Sequence, residues 1–276
     1  MALLAHEPAL RLAAFLGVFA LMALAEALAP RRRRDFSRLQ RWPANLGIVV
    51  IDTLLLRLAF PTAAVGVAMI AAARGFGVLH WLHVPPVAAF VIALLVLDLA
   101  IYAQHVLFHA VPVLWRLHRM HHADLDFDVT TALRFHPVEI LLSMALKIAL
   151  VAALGAPAAA VLVFEVVLNA AAMFNHANAR LPLWLDGALR LVLVTPDMHR
   201  VHHSTRIEET NSNFGFNLPW WDRLFGTYRA APRAGQEGMT IGLEAFRAPA
   251  ELRLDRLLTQ PLRAGAEAYP LLGHRG

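Results

Sequence analysis

Cysteine is absent from the 276 residues. Its absence excludes iron–sulfur clusters, thiolate-bound haem and disulfides, and it says nothing of the redox compartment. Lysine occurs once, as Lys147. The formal charge of +5 and the pI near 10.6 therefore rest on arginine. No basic stripe is interleaved with aromatics, which argues against nucleic acid as a partner. Charged residues make up only 16% of the chain, against about 25% in soluble domains. The HExxH motif of zinc hydrolases is missing. No low-complexity linker divides the chain, and its one internal repeat is a short histidine pattern.

What fills the chain is apolar sequence, with 58% hydrophobic residues and a mean hydropathy of +0.54. The excess lies in long blocks, as in membrane spans. Five spans are expected, at residues 8–29, 43–73 and 84–110, then a hairpin of Pro137–Leu154 and Ala158–Asn175. The hairpin turns at Gly155-Ala156-Pro157, and the second span is long enough to be tilted or broken near Pro61. The first block lacks the basic start of a cleaved leader and runs into Arg31, Arg32, Arg33 and Arg34, the pattern of a retained anchor. With Arg38 and Arg41, these form the strongest cytoplasmic signal in the chain. The expected N-terminus is outside and the C-terminus inside.

Three histidine clusters stand out. His105 and His109 form HxxxH. His118, His121 and His122 form HxxHH, and His199, His202 and His203 repeat it. At about 5% histidine, HxxHH arises by chance about 0.03 times in such a chain. Residues three or four apart share a helix face, so each cluster is expected to aim its imidazoles at one point. Imidazole ligates iron, copper and zinc, and eight imidazoles exceed one tetrahedral zinc. Two neighbouring metals suit them. The charge rule places every cluster on the cytoplasmic side. His176 ends the last span at the same depth and joins the candidates. His136, before the proline that opens the fourth span, reads as a ligand, a supporting group or a helix cap. His6, His80, His83 and His274 are remote or terminal.

Charge inside lipid is costly. Asp98 and Tyr102, upstream of His105, are candidates for a polar support that orients the ligands, as are Glu165 and Asn169 upstream of His176. Hydrogen bonding between helices explains the same residues equally well. Thr195 and Pro196 read as a helix start, and Asp197 as a holder of a histidine's second nitrogen. The aromatic segment around Trp220, Trp221, Phe225 and Tyr228 suits the membrane interface or an apolar lid over the metals.

The expected fold class is all-α, a polytopic membrane protein with about five apolar spans and a cytoplasmic histidine-rich di-metal cap. Residues 1–83 are expected as N-terminal membrane anchor helices, 84–230 as the catalytic domain and 231–276 as a peripheral tail.

From about Asp98 to Tyr228 the chain resembles the fatty acid hydroxylase/sterol desaturase superfamily. The order HxxxH, HxxHH, HxxHH carries the resemblance. So do the pieces DVTTALRFHPVE, FNHAN, TPDMHRVHHS and NSNFGFNLPWWDRLFGTYR, which are similar to a bacterial sterol-desaturase-like branch. The layout also resembles that of the pterin-dependent alkylglycerol monooxygenases, although no pterin site can be read here. The resemblance implies a membrane-bound oxidoreductase with two iron ions per chain and O2 as co-substrate. It implies hydroxylation or desaturation of a membrane lipid C–H bond. The ligands it carries over are His105, His109, His118, His121, His122, His176, His199, His202 and His203. The cytochrome b5 domain fused to some members is missing, so a separate electron-transfer reductase is expected as partner. A bacterial inner membrane is the expected location. A zinc-dependent membrane hydrolase is the alternative, and it lacks its base motif. A metal transporter or sensor is the other, but a transporter places polar ligands at the midplane.

Overall fold

Pro61 breaks the second apolar block, as its position suggests. The computed structural model describes Leu4 and residues 6–272. In it α1 covers Glu7–Leu28, α2 Arg38–Ala59 and α3 Ala63–Ala73. Proline disfavours helical backbone at the preceding residue, and Phe60 leaves the helix with φ −133° and ψ 69°. A second proline turns the chain between α4, Pro86–Ala110, and α5, Pro112–His122. There Val111 is extended, with ψ 120°. This junction sets the first two histidine clusters side by side.

The hairpin consists of α6, Pro137–Leu154, and α7, Ala158–Asn175. Gly155 caps α6 in the left-handed region at φ +68°, a conformation that glycine adopts without a Cβ penalty. Shorter helices follow. They are α8, Leu183–Leu189; α9, Pro196–His202; α10, Trp220–Leu224; and α11, Leu254–Thr259. No strand forms among the described residues, only the isolated bridges Pro30–Ala179 and Ser204–Ile241.

Among the described residues five helical stretches are long and apolar enough to cross a membrane, with Arg38–Trp81 counting as one. The main apolar core joins α3, α4, α6 and α7 through Ala64, Ala68, Ala93, Val151 and Ala160, with Ala156 of the hairpin turn. Small residues let helix backbones approach closely where lipid gives no hydrophobic drive. The spans alternate in direction. Arg31 N–H donates to the Asn178 carbonyl at 2.9 Å, and Arg180 N–H to the Ala29 carbonyl at 2.8 Å. These bonds fix the end of α1 beside the end of α7. The end of α4 and the start of α6 lie at the same end, where a cap of buried polar residues sits.

The tail is tied to that cap. Arg119 donates to the carbonyls of Gln260 at 2.8 Å and Arg263 at 2.5 Å. Leu257 of α11 packs on Met120.

Candidate metal centre

All nine cluster and span-end histidines converge at the cap, and they do so in two groups. His105, His109, His118, His122 and His202 form one. His121, His176, His199 and His203 form the other. Within each group the potential ligand atoms lie within 4.8 Å of one another. None of the nine is more than 3% exposed.

The clusters do not each aim at one point, contrary to the expectation from spacing. Each HxxHH divides. Its first and last histidines go to one group and the middle one to the other. His118 and His122 join the first group while His121 joins the second; His199 and His203 join the second while His202 joins the first. The reason is helical: i and i+4 lie about 40° apart around the axis, while i+3 falls on the other side of i, about 60° away. A pair of HxxHH helices facing each other thus builds two sites.

The groups fit metal ions by the chemistry of their donors. His105 Nδ1 lies 2.7 Å from the Phe214 carbonyl, and His202 Nδ1 2.7 Å from the Ser212 carbonyl. A carbonyl only accepts, so each Nδ1 carries the proton and each Nε2 of a neutral ring carries a lone pair. Yet the two Nε2 atoms stand 3.0 Å apart. Two lone pairs at that distance repel unless a cation lies between them. Two nitrogens bound at right angles to one ion at ~2.1 Å are ~3.0 Å apart. In the second group His176 Nδ1 donates to the Ala172 carbonyl at 2.8 Å, and its Nε2 lies 3.1 Å from Nε2 of both His121 and His199. Neither nitrogen of His203 has a hydrogen-bond partner. A buried polar atom left so costs about 1–3 kcal/mol. Five imidazoles exceed the four ligands of structural zinc and suit an ion that prefers a higher coordination number.

Burial keeps these rings neutral. It pushes His118 and His176 down to about 3. It pushes His121, His122, His199, His202 and His203 well below the usual histidine value, and neighbouring histidines push the same way. A neutral ring is the ligating form. The sign for stability follows. The unfolded rings bind protons below about 6.5 and the folded rings do not. Metal-free protein should therefore lose stability as pH falls from about 6.5 towards 3, at up to about 1.4 kcal/mol per pH unit per ring. Thermal melts of chelated protein at pH 7.5 and pH 5 check this. Equal melting temperatures would contradict the neutral, buried assignment.

Several expected supports act elsewhere. His136 caps α6, with Nδ1 accepting from Val138 N–H at 3.2 Å and Nε2 donating to the Leu258 carbonyl at 3.2 Å. It belongs to neither group. Asp98 accepts from Asn217 Nδ2 and Trp221 Nε1, both at 2.8 Å, and so fastens the aromatic segment to α4. Tyr102 bonds Thr227 at 2.9 Å. Glu165 is held between Arg11 at 2.6 Å and Lys147 at 2.7 Å, with Asn169 donating to its carbonyl. Asp197 pairs with Arg31 at 3.0 Å and with Arg200. Asn169 bonds only its own helix, the other four join helices or loops, and none of the five hydrogen-bonds a histidine among the described residues. Thr195 caps α9 as its place suggests, accepting from Met198 N–H at 3.4 Å. His6, His80 and His83 join neither group, and His274 lies outside the described residues.

The residues that do hold the rings are others. Glu139 Oε1 accepts from His118 Nδ1 at 2.7 Å, and Asn211 Oδ1 from His109 Nδ1 at 3.2 Å. Asp222 accepts from the Phe214 and Gly215 amides at 2.8 and 2.9 Å, shaping the loop whose carbonyl holds His105. An acid three residues into an apolar span was a readable signal for Glu139. Aromatic rings complete the enclosure. Phe216 is half-buried and lies 5.1 Å from His105 and 6.1 Å from His199. Phe135 lies 6.0 Å from His118 and 4.3 Å from His121. Each thus touches both groups.

Residues 90–227 match the family described as fatty acid hydroxylase. Three relatives are similar. An ornithine lipid hydroxylase of Rhizobium tropici is 34% identical over 55% of this chain and 45% of its own. The human alkylglycerol monooxygenase is 29% identical over 56% and 34% respectively. A cholesterol 25-hydroxylase of Rattus norvegicus is 33% identical over 52% and 47%. The chain thus spans less than half the length of each relative. No solved structure gives a significant match. A matched segment that covers half of the sequence and holds all nine converging histidines settles the affiliation: the chain belongs to the fatty acid hydroxylase family.

Proposed function

We propose that this protein is a membrane-bound oxygenase that hydroxylates, or desaturates, a lipid chain with O2 at a pair of iron ions. One observation carries the reading. Two adjacent groups of neutral imidazoles sit at the end of membrane helices, with lone pairs facing one another. The first ion would be held by His105, His109, His118, His122 and His202. The second would be held by His121, His176, His199 and His203. Iron can change oxidation state, as zinc cannot, and so supplies the activation of O2 and the attack on a C–H bond. The relatives act on an ornithine lipid, an alkylglycerol and cholesterol by name, which supports a lipid as substrate here. In this reading residues 84–230 form the catalytic unit, 1–83 its membrane anchor and 231–276 its tail. A separate reductase supplies electrons.

The chain's own residues do the positioning. Glu139, Asn211 and three backbone carbonyls fix the Nδ1 protons of five rings, so every Nε2 of those rings is turned inward. Such outer partners typically matter 10–100-fold for metal affinity or activity. Phe135, Phe214 and Phe216 keep water from the rings. A lipid chain approaching from the apolar core meets Phe216, which packs against that core and against both histidine groups.

The test is reconstituted protein with iron, a reductase system and a lipid extract. The expected product is heavier by one oxygen atom, or lighter by two hydrogens, and any added oxygen comes from labelled dioxygen. Phe216→Ala should keep its metal and shift the ratio of positional products by about tenfold. Label arriving from water, with turnover under argon, would reject the oxygenase reading.

The arginine run from Arg31 to Arg34, at the same end as the histidines, supports a cytoplasmic metal face. The reading further places the protein in a bacterial inner membrane. A reporter active only in the cytoplasm should give signal when fused after residue 230. Signal instead from a reporter active only outside would move the centre to the other face.

A further inference from the structure

Behind α9, away from the histidines, a cleft of about 420 Å³ with charged side chains in its lining opens beside an apolar surface. Arg31, Arg190, Arg223, Tyr228, Asp186 and Asp197 line it. Asp186 is paired with Arg190 at 2.7 Å. Asp197 is paired with Arg31 and Arg200. Arg31 also reaches Glu237, which Arg180 touches at 3.4 Å. Arg223 is the remaining cation, and no carboxylate lies within salt-bridge distance of it among the described residues. Its guanidinium lies 4.2 Å over the Tyr228 ring and donates once, to the Arg190 carbonyl at 3.1 Å. The neighbouring Asp222 faces inward, its carboxylate taken up by two amides and the Thr227 hydroxyl. The lining therefore carries one surplus positive charge.

The rim of this cleft is apolar and exposed. Leu183 and Trp184 of α8 are 82% and 74% exposed, and Leu224 of α10 is 69% exposed. Leu191, Trp220 and Phe225 continue the surface. Trp220 Nε1 donates to the Leu191 carbonyl at 2.7 Å and joins the two parts. α10 is fastened to α4. Trp221 bonds Asp98, and the Phe225 ring stacks on Tyr102 at 5.5 Å. Arg31, three residues past the end of α1 at Leu28, lines the same cleft, so the cleft opens at the end of the spans. There α10 lies against a membrane helix, and its exposed side chains meet lipid. Tryptophan at the headgroup level suits such a boundary.

We propose that this cleft binds the headgroup of an anionic phospholipid, with the phosphate at Arg223 and the acyl chains along Trp184, Leu224 and Phe225. A guanidinium with free donors matches phosphate oxygens. The apolar rim supplies what a free anion does not use. The site is separate from the histidine groups and does not depend on the oxygenase reading.

The test uses the full chain, purified in detergent and exchanged into nanodiscs of phosphatidylcholine with a minor fraction of phosphatidylglycerol. Native mass spectrometry of the released protein reads which lipid is retained. The expected result is about tenfold enrichment of phosphatidylglycerol over its bulk fraction, falling below about twofold in Arg223→Gln. Arg206→Gln, which removes an exposed arginine elsewhere, should keep the enrichment. Leu224→Ala should weaken it without changing the charge. Equal retention of both lipids by the unaltered protein would overturn the proposal, as would enrichment that survives Arg223→Gln. Millimolar inorganic phosphate that displaces the lipid completely would show a free-anion site instead. A dimer that Leu224→Arg dissociates, with lipid retention unchanged, would assign the apolar rim to a subunit contact.

Discussion

His202→Ala should lose most of its metal and at least about 100-fold of its activity, whereas His83→Ala should lose neither. His202 Nε2 lies 3.0 Å from His105 Nε2 and belongs to the five-membered group. Removing it takes one imidazole from that group, which in the proposed reading opens a ligand position. His121→Ala should act on the four-membered group in the same way. Anaerobically purified protein should hold about two irons per chain by metal analysis, a count that follows from two groups of imidazoles. Glu139→Ala should be milder, about 10–100-fold, because Glu139 orients His118 and meets no metal itself. The measurements are iron content and product formation on the same preparations. Full iron retention in both His202→Ala and His121→Ala would remove the assignment. Zinc in place of iron, with no oxygen-dependent turnover, would favour a hydrolytic role.

Arg41→Ala should unfold the cap rather than the active groups alone. Arg41 is 1% exposed and binds Asp124 at 2.6 and 2.9 Å, Asp128 at 2.6 Å and Thr131 at 3.1 Å. Arg134 approaches Asp124 from another side at 3.3 Å. Burial alone raises a carboxyl; here Arg41 and then Arg134 outweigh it and hold Asp124 down at about 2. Truncating one member of a buried pair leaves an uncompensated charge and costs about 3–5 kcal/mol. The loss should be present at neutral pH and should shrink only in strong acid, because the contribution of the depressed carboxyl is complete above its unfolded value of about 3.9 and is lost as pH falls from there through about 2. Since Asp124 lies two residues after His122, metal content should fall with stability. Denaturation followed by tryptophan fluorescence, at about pH 7 and about pH 2.5, checks both points. A change below about 1 kcal/mol at pH 7 would show that water reaches the aspartates.

What sequence conveyed about this site was set by side-chain type and helical period. The nine histidines were readable because ligand chemistry needs imidazole and because residues at i, i+3 and i+4 return to one side of a helix. The spans were readable because length and apolar composition answer directly to bilayer thickness. The division of each HxxHH between two groups was not, since it depends on how α5 and α9 face each other. Nor were the Phe214 and Ser212 carbonyls that set the tautomers of His105 and His202. Every residue has a carbonyl, so composition marks none of them. The choice between the two readings of Asp98 and Glu165 was hidden for a related reason. A charge in an apolar block signals that a partner exists, but two of the partners, Trp221 and Arg11, lie more than a hundred residues away in sequence.

The way each HxxHH helix serves two groups makes the cap a linked system. Ordering α5 or α9 around one group aligns a donor of the other, because His118, His121 and His122 turn as one rigid body, and so do His199, His202 and His203. Filling the first position therefore lowers the ordering cost of the second, and by reciprocity the second retains the first. Titration with metal should then run directly from empty to doubly filled protein, with the singly filled species scarce at every ratio.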